Sequence, residues 1–466
     1  MIWNCAKYAF HQQKVFPIPN SVDAQKVKAL LGLKGSTKCE FLHATNDDAE
    51  RFNATNSFSN GTYANGYETS YIPGAEDVVL MIKSGATVLW QRLPIHLATT
   101  LPQVPHFYIY SDAPDVIAGI PVIDILSHTS KKLRQSDDFR MYKQQEELLS
   151  EHSNIELYDS RAHIEGAWNL DKFKNIPMIA HAYNEHPTAK WYIFMDADSY
   201  ILWPNMIRWL QKLNHKDKLY IGSVAIYLKN HERFAHGGSG VIMSSGLLSQ
   251  TFGKEPELAQ QYEDYTKENC CGDHILAHAF LDRDVAVISA DGKVQGEPPE
   301  SMWFNSGNWC HEVMTFHHLT VHGVERLYEF EKEFYYNTPI LYKDVYRKFV
   351  MPYLDPKGRK NWDNLADTRQ YSADREKDTN NPTETAYESA ENCAQKCDEW
   401  SSCLQYRYKP GYCGISDSVR IGAKDTSDNV PYTSAWLIER IRNLRNSKSC
   451  DEIGHGVEEG SAFSDG

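Results

Sequence analysis

Lys190-Trp191-Tyr192-Ile193-Phe194-Met195-Asp196-Ala197-Asp198-Ser199-Tyr200 is the stretch that decides the fold. An unbroken aromatic and β-branched run, Trp191 to Met195, stops at two carboxylates. Such a run reads as a strand buried on both faces, the signature of a parallel sheet. Side chains two apart on an extended chain point the same way, about 6–7 Å apart along the strand. Asp196 and Asp198 are therefore expected to reach one hard cation together while Ala197 points away. Open α/β sheets bind ligands at the carboxyl ends of their strands, and these acids sit at such an end. Taken alone, the pattern also fits an Asp-rich turn that caps the next helix.

Upstream, Glu76-Asp77 leads into the apolar strand Val78 to Ile82, then the turn Lys83-Ser84-Gly85-Ala86-Thr87, then a helix through Leu89, Leu93, His96 and Leu97. A strand, a Gly-containing loop and a helix N-terminus form an anion or nucleotide cradle, because unpaired N–H groups point outward there. A second strand, Phe107 to Tyr110, again ends in polar residues, Ser111 and Asp112. Repeated βα units predict a largely parallel sheet. Downstream, Trp203-Pro204-Asn205 opens a helix with Met206, Trp209, Leu210 and Leu213 on one face. The run His236-Gly237-Gly238-Ser239-Gly240 lets backbone approach a ligand closely, although a plain turn before a strand has the same composition. Asp273 follows Cys271-Gly272 as the N-cap or first-turn residue of an amphipathic helix. Thr315-Phe316-His317-His318 ends a strand-like run in paired histidines, downstream of an acid pair that lacks a third ligand.

At 466 residues the chain is expected to hold two folded units plus connecting segments. Its longest apolar runs are far too short to cross a bilayer, and no signal peptide is visible at the N-terminus. A net charge of −14 argues against a nucleic-acid partner. Residues 1–70 read as an N-terminal extension with a helix near 22–33 and two glycosylation sequons, Asn53-Ala54-Thr55 and Asn60-Gly61-Thr62. Residues 354–388 read as a polar linker, and residues 446–466 as a disordered tail. Four of the ten cysteines, Cys393, Cys397, Cys403 and Cys413, crowd together as a local disulfide framework. Four cysteines allow three pairings, and a zinc site is the rival reading, weakened by the lack of close C-x2-C pairs. Cys271 and Cys310 are read as a further pair. Sequons and disulfides together point to the secretory pathway, so a membrane anchor missing from this chain is expected.

With these segments in view, residues from about Glu76 to Tyr335 resemble family 31 glycosyltransferases, of the Fringe and core-1 β-1,3-galactosyltransferase branch in its fungal form. The resemblance rests on Glu76 to Thr87, Trp191 to Tyr200, Phe234 to Ser244, Cys271-Gly272-Asp273 and Thr315 to His318, in the family's order. It implies an α/β GT-A catalytic domain over 71–353, a UDP-sugar donor, a divalent cation (Mn²⁺ or Mg²⁺) and inversion at the anomeric carbon. Position by position, it implies Asp196, Asp198 and His317 as metal ligands, with His318 as a stand-in. Asp273 becomes the catalytic base, Thr87, Arg92, Asp112 and Asp196 nucleotide contacts, and Gly237, Gly238 and Gly240 the lining of the sugar pocket. Ala197 and Gly272 depart from relatives that carry an acid there. Residues 389–445, which start as early as 370 on a broader reading, resemble a PAN/apple module. That resemblance implies Cys393–Cys413 and Cys397–Cys403 bridges.

The resulting expectation is a transferase that moves galactose from UDP-galactose to a glycan or glycoprotein acceptor in β-1,3 linkage, in the Golgi lumen as a type II membrane protein or after secretion. Its rivals are a carbohydrate-binding or adhesion protein on an inactive transferase fold, and a metal-dependent hydrolase that uses the same acids.

Overall fold

A computed structural model describes residues 72–151, 166–290, 292–372, 385–426, 430–447 and 450. The expected 22–33 helix, both sequons and residues 451–466 lie outside these. Strands β1 (Val78–Lys83), β2 (His106–Ser111), β3 (Asp115–Ile117), β4 (Ile120–Asp124) and β5 (Trp191–Asp196) come first. They are followed by β6 (Tyr200–Ile201), β7 (Tyr220–Gly222), the hairpin β8 (Val224–Ile226) and β9 (Arg233–Ala235), β10 (Val241–Ser244), β11 (Ile288–Ser289) and β12 (Thr315–Phe316). Among the described residues, eight strands form one sheet in the order β11-β7-β10-β5-β1-β2-β4-β3. The β1–β2, β1–β5, β2–β4 and β7–β11 pairings are parallel, whereas β10 runs antiparallel to both neighbours and β3 antiparallel to β4.

The opening run is β5, paired with β1 in the register Val78↔Trp191. Alternate side chains serve two cores. Tyr192 and Phe194 join Val79 and Met81 on one face, and Trp191, Ile193 and Met195 join Val78, Leu80 and Ile82 on the other. The continuous apolar spelling follows from that double burial. The Trp203–Leu210 helix covers the second face, and the Asn175–Glu185 and Gly272–Leu281 helices cover the first.

A third core joins Tyr200, Leu202 and Phe316 to Leu404, Val419, Ile421 and Trp436. Its C-terminal part is built from β13 (Arg359–Lys360), β14 (Trp362–Asp363), β15 (Arg369–Ser372), β16 (Gln405–Lys409), β17 (Tyr412–Ser416), β18 (Ala423–Lys424) and β19 (Thr433–Trp436). Five of these strands make an antiparallel sheet, β13-β19-β16-β17-β15. The Ala390–Glu399 helix is stapled to it by Cys393–Cys413 and Cys397–Cys403 bridges, as the resemblance implies.

Three expectations are corrected. Residues 359–372 are not linker but strands, because β15 pairs with β17 and β13 with β19. The tail starts later, since a helix runs to Ser447 and Cys450 is bridged to Cys310. Cys271 does not pair with Cys310; it bonds its neighbour Cys270. Spacing carries no information about long-range pairing, so only the fold reveals that residue 310 meets residue 450.

Behind this third core lies Glu331, 2% exposed and the acceptor of a hydrogen bond from the Tyr200 hydroxyl. Burial raises its carboxyl from 4.5 to about 7. The folded chain therefore holds this proton to higher pH than the unfolded chain. The associated stability is full below about 4.5 and lost as pH rises through about 7. Glu331→Gln should flatten the fall in unfolding free energy over that window, by on the order of 3 kcal/mol, in urea titrations from pH 4.5 to 8. An unchanged slope would exclude Glu331 as its source.

Candidate active site

β5 stops at Asp196, and the chain turns at once: the Ala197 N–H donates to Lys83 O (2.9 Å) and the Ser199 N–H to Asp196 O (3.0 Å). The turn parts the two acids, which therefore do not share one strand face as the spacing predicts. Asp196 lies against Lys83, with Oδ1 3.2 Å from Nζ. Asp198 faces Arg92 at 3.2 Å and His317 Nε2 at 3.4 Å. Among the described residues, Asp198, His317 and His318 form the group whose ligand atoms all lie within 4.8 Å of one another. His318 thus stands nearer the cluster centre than the sequence reading allows, and Asp196 farther.

Chain geometry explains the convergence. β12 pairs antiparallel with β6, and the Leu319 N–H donates to Asp198 O at 2.9 Å, so the histidines are tied across to the acid turn. His96, fully buried, braces the same turn through Nε2 to Ala197 O at 2.9 Å. Burial lowers its imidazole to about 4, which keeps it neutral. Burial pushes the Asp198 carboxyl up, but the facing His317 and Arg92 outweigh it and leave the group below its ordinary value. Burial, together with the charges of Asp171 and Asp198, raises Asp196 against the pull of Lys83. His317 Nδ1 is buried without a hydrogen bond, and the buried Asp198 Oδ1 has only the long 3.4 Å approach of His317 Nε2 among the described residues. Buried polar atoms without partners are costly, and carboxylate oxygen with imidazole nitrogen is a donor set suited to Mn²⁺ or Mg²⁺.

Gly238 explains the glycine run. A Cβ there would lie 2.2 Å from His317 Cε1 and 2.3 Å from Nε2, and the Gly238 carbonyl accepts from Ser199 Oγ at 2.7 Å. Gly240 takes φ +98°, a conformation that favours glycine. Gly238→Ala should force the imidazole aside and weaken Mn²⁺ affinity by about tenfold or more in calorimetric titration, in line with the sensitivity of metal sites to their supports. Unaltered affinity would show that His317 takes no part in binding.

Gly237 reaches the other way. Its N–H donates to Asp273 Oδ2 at 3.0 Å, while the His274 N–H donates to Oδ1 at 2.9 Å. Cys271 is the N-cap of the Gly272–Leu281 helix, so Asp273 sits in the first turn. Asp273, Asp196, Lys83, Gly237 and Gly238 line one cavity of about 690 Å³. Gly238 both lines this cavity and packs against the His317 ring of the Asp198–His317–His318 cluster.

Two lysines escaped the sequence reading. Lys83 is buried, 2.6 Å from Asp171 Oδ2 as well as 3.2 Å from Asp196. Burial alone would lower it, but those carboxylates hold it well above the ordinary lysine value. Lys174, also buried, reaches Ser84 O and Asp112 Oδ1, both at 2.9 Å. The only signal in the sequence is a lysine that ends an apolar strand. Asp112 itself is 1% exposed; Oδ1 also accepts from the Ala86 N–H, and Oδ2 from Gln145. Although burial pushes its carboxyl up, Lys174 and these donors hold it below its ordinary value. It fixes the Lys83–Thr87 loop, on which Thr87 is half-buried. Arg92, by contrast, is half-buried, its side chain 43% exposed beside Asp198.

No curated protein matches the chain. Residues 74–280, which hold Arg92, Asp196, Asp198, Gly238 and Asp273, match the family described as Fringe-like, a similarity that supports a glycosyltransferase.

Proposed function

We propose that the chain is an inverting, metal-dependent glycosyltransferase that moves galactose from UDP-galactose to a glycan or glycoprotein hydroxyl in β-1,3 linkage. One observation carries the reading: Gly237 and Gly238 couple the carboxylate of Asp273 on one side to the Asp198–His317–His318 cluster on the other. Asp198 and His317 would hold a divalent cation, with His318 and Asp196 beside them. When bound, that cation supplies Lewis-acid stabilisation of the diphosphate leaving group.

The chain's own groups do the rest. Arg92, half-buried and paired with Asp198, a carboxylate the cation would claim, is placed to meet phosphate oxygens. Lys83 adds a fixed positive charge under the cavity between Asp171 and Asp196. The acceptor oxygen attacks the anomeric carbon as the bond to the diphosphate oxygen breaks, and UDP leaves with the bonding pair. The acceptor's proton passes to Asp273, whose orientation is set by the N–H groups of Gly237 and His274.

The Ala390–Glu399 helix and its two bridges support a PAN/apple-like module for residues 389–445, and the disulfides fit an oxidising compartment such as the Golgi lumen. The test is a panel of UDP-sugars offered with O-linked GalNAc and mannose acceptors. UDP release should require Mn²⁺ and acceptor, be largest for UDP-galactose, and stop with chelator. Release that ignores chelation, or none with any donor, refutes the reading.

A further inference from the structure

The cavity that holds Asp273 extends well beyond the groups used so far. Its lining is mostly polar, with Asp138, Arg140, Asn169 and Asn269; its apolar elements are the flexible side chain of Met141 and the rigid disulfide between the adjacent residues Cys270 and Cys271. This bridge differs from its counterparts. Cys393, Cys397, Cys403 and Cys413 are fully buried and serve the C-terminal core, whereas Cys270 and Cys271 are both exposed on the cavity wall. The bridge contributes nothing to any described core, and it closes no loop between distant residues, so chain-entropy stabilisation is minimal. It is nonetheless held firmly. Lys172 Nζ donates to Lys267 O (3.1 Å) and Asn269 O (3.2 Å), and Gly272 packs so tightly that a Cβ would lie 2.9 Å from Lys172 O. Cys271 takes φ +68°, an unfavourable value for a side-chain-bearing residue. Two residues on stands Asp273.

We infer that the Cys270–Cys271 bridge is the apolar platform of the acceptor subsite, on which a pyranoside lays its C–H face so that one hydroxyl meets Asp273. A sugar ring offers an apolar face edged by hydroxyls. The wall offers the complement, a rigid sulfur surface edged by carboxylates and amides. This inference deepens the transferase reading and rests on it for the role of Asp273, but sugar binding to the platform is measurable without turnover.

The test compares the wild-type chain with Cys270→Ser/Cys271→Ser and Cys270→Ala/Cys271→Ala double variants, each with UDP and Mn²⁺ present. Saturation-transfer NMR with methyl α-N-acetylgalactosaminide and methyl α-mannoside should show transfer to ring C–H protons in the wild type that both variants lose. UDP affinity should stay within about twofold, which also establishes that the variants fold, and acceptor KM should rise about tenfold with kcat within about threefold. Undiminished saturation transfer in the variants overturns the platform, as does a fall in kcat at unchanged KM, which would make the bridge a support for Asp273 instead. Saturation transfer in a chain that shows no UDP release retains the platform while the transferase reading fails. No transfer to either glycoside in the wild type removes the platform while UDP release tests the transferase reading separately.

Discussion

Asp273→Asn should lower sugar transfer by about 10³-fold while UDP affinity with Mn²⁺ stays within about twofold. Asparagine keeps the shape and keeps one oxygen to accept from Gly237 N–H or His274 N–H, so the first turn of the Gly272–Leu281 helix is retained. Only the capacity to take the acceptor's proton disappears. Because the side chain sits in the cavity and not in the Asp198–His317–His318 cluster, donor binding is left alone. Steady-state transfer assays beside calorimetric UDP titrations check this, and turnover within tenfold of wild type would remove Asp273 as the base.

The second large effect is expected at Asp198. Asp198→Ala takes away the carboxylate that faces both Arg92 and His317. Groups that merely support a metal ligand already contribute 10–100-fold to affinity, so loss of the ligand itself should cost about 100-fold or more in Mn²⁺-dependent UDP binding. The fold should survive, because the tie to the histidine strand runs through the Asp198 backbone carbonyl and Leu319 N–H, which alanine retains. UDP titrations with Mn²⁺ and with chelator separate the two components. Only the metal-dependent one should vanish, and an unchanged difference between the titrations would exclude Asp198 as a ligand.

The central architecture was legible because local spelling and long-range burial agree. The unbroken run Trp191 to Met195 requires two buried faces, and β5 has both. The glycine run and the first-turn aspartate were legible for the same reason, since each obeys a rule of its own segment. What escaped depends on contacts between segments. Period-2 spacing placed Asp196 and Asp198 together on an extended chain, but a turn intervenes and hands Asp196 to Lys83. Asp112 follows a strand, and its partner Lys174, 62 positions along the chain, is a contact that no local pattern encodes. The pairing of Cys310 with Cys450 joins residues 140 positions apart, which no local pattern encodes. The strands within residues 359–372 are short and largely polar, so their own spelling resembles a linker, and only pairing with β17 and β19 reveals them.

The third core has a practical consequence. Phe304 and Val419 exchange backbone hydrogen bonds at 3.0 and 2.8 Å, and the same apolar cluster runs from Tyr200 and Phe316 through to Trp436. The C-terminal sheet is thereby part of the mortar of the core that Phe316 shares, and a shortened chain that ends near residue 353 would strip Phe304 of its partner Val419. Hydrogen–deuterium exchange should accordingly find amides of 313–319 and 404–436 opening as one cooperative unit, and domain-swapped chimeras that cut between them should come apart at both ends.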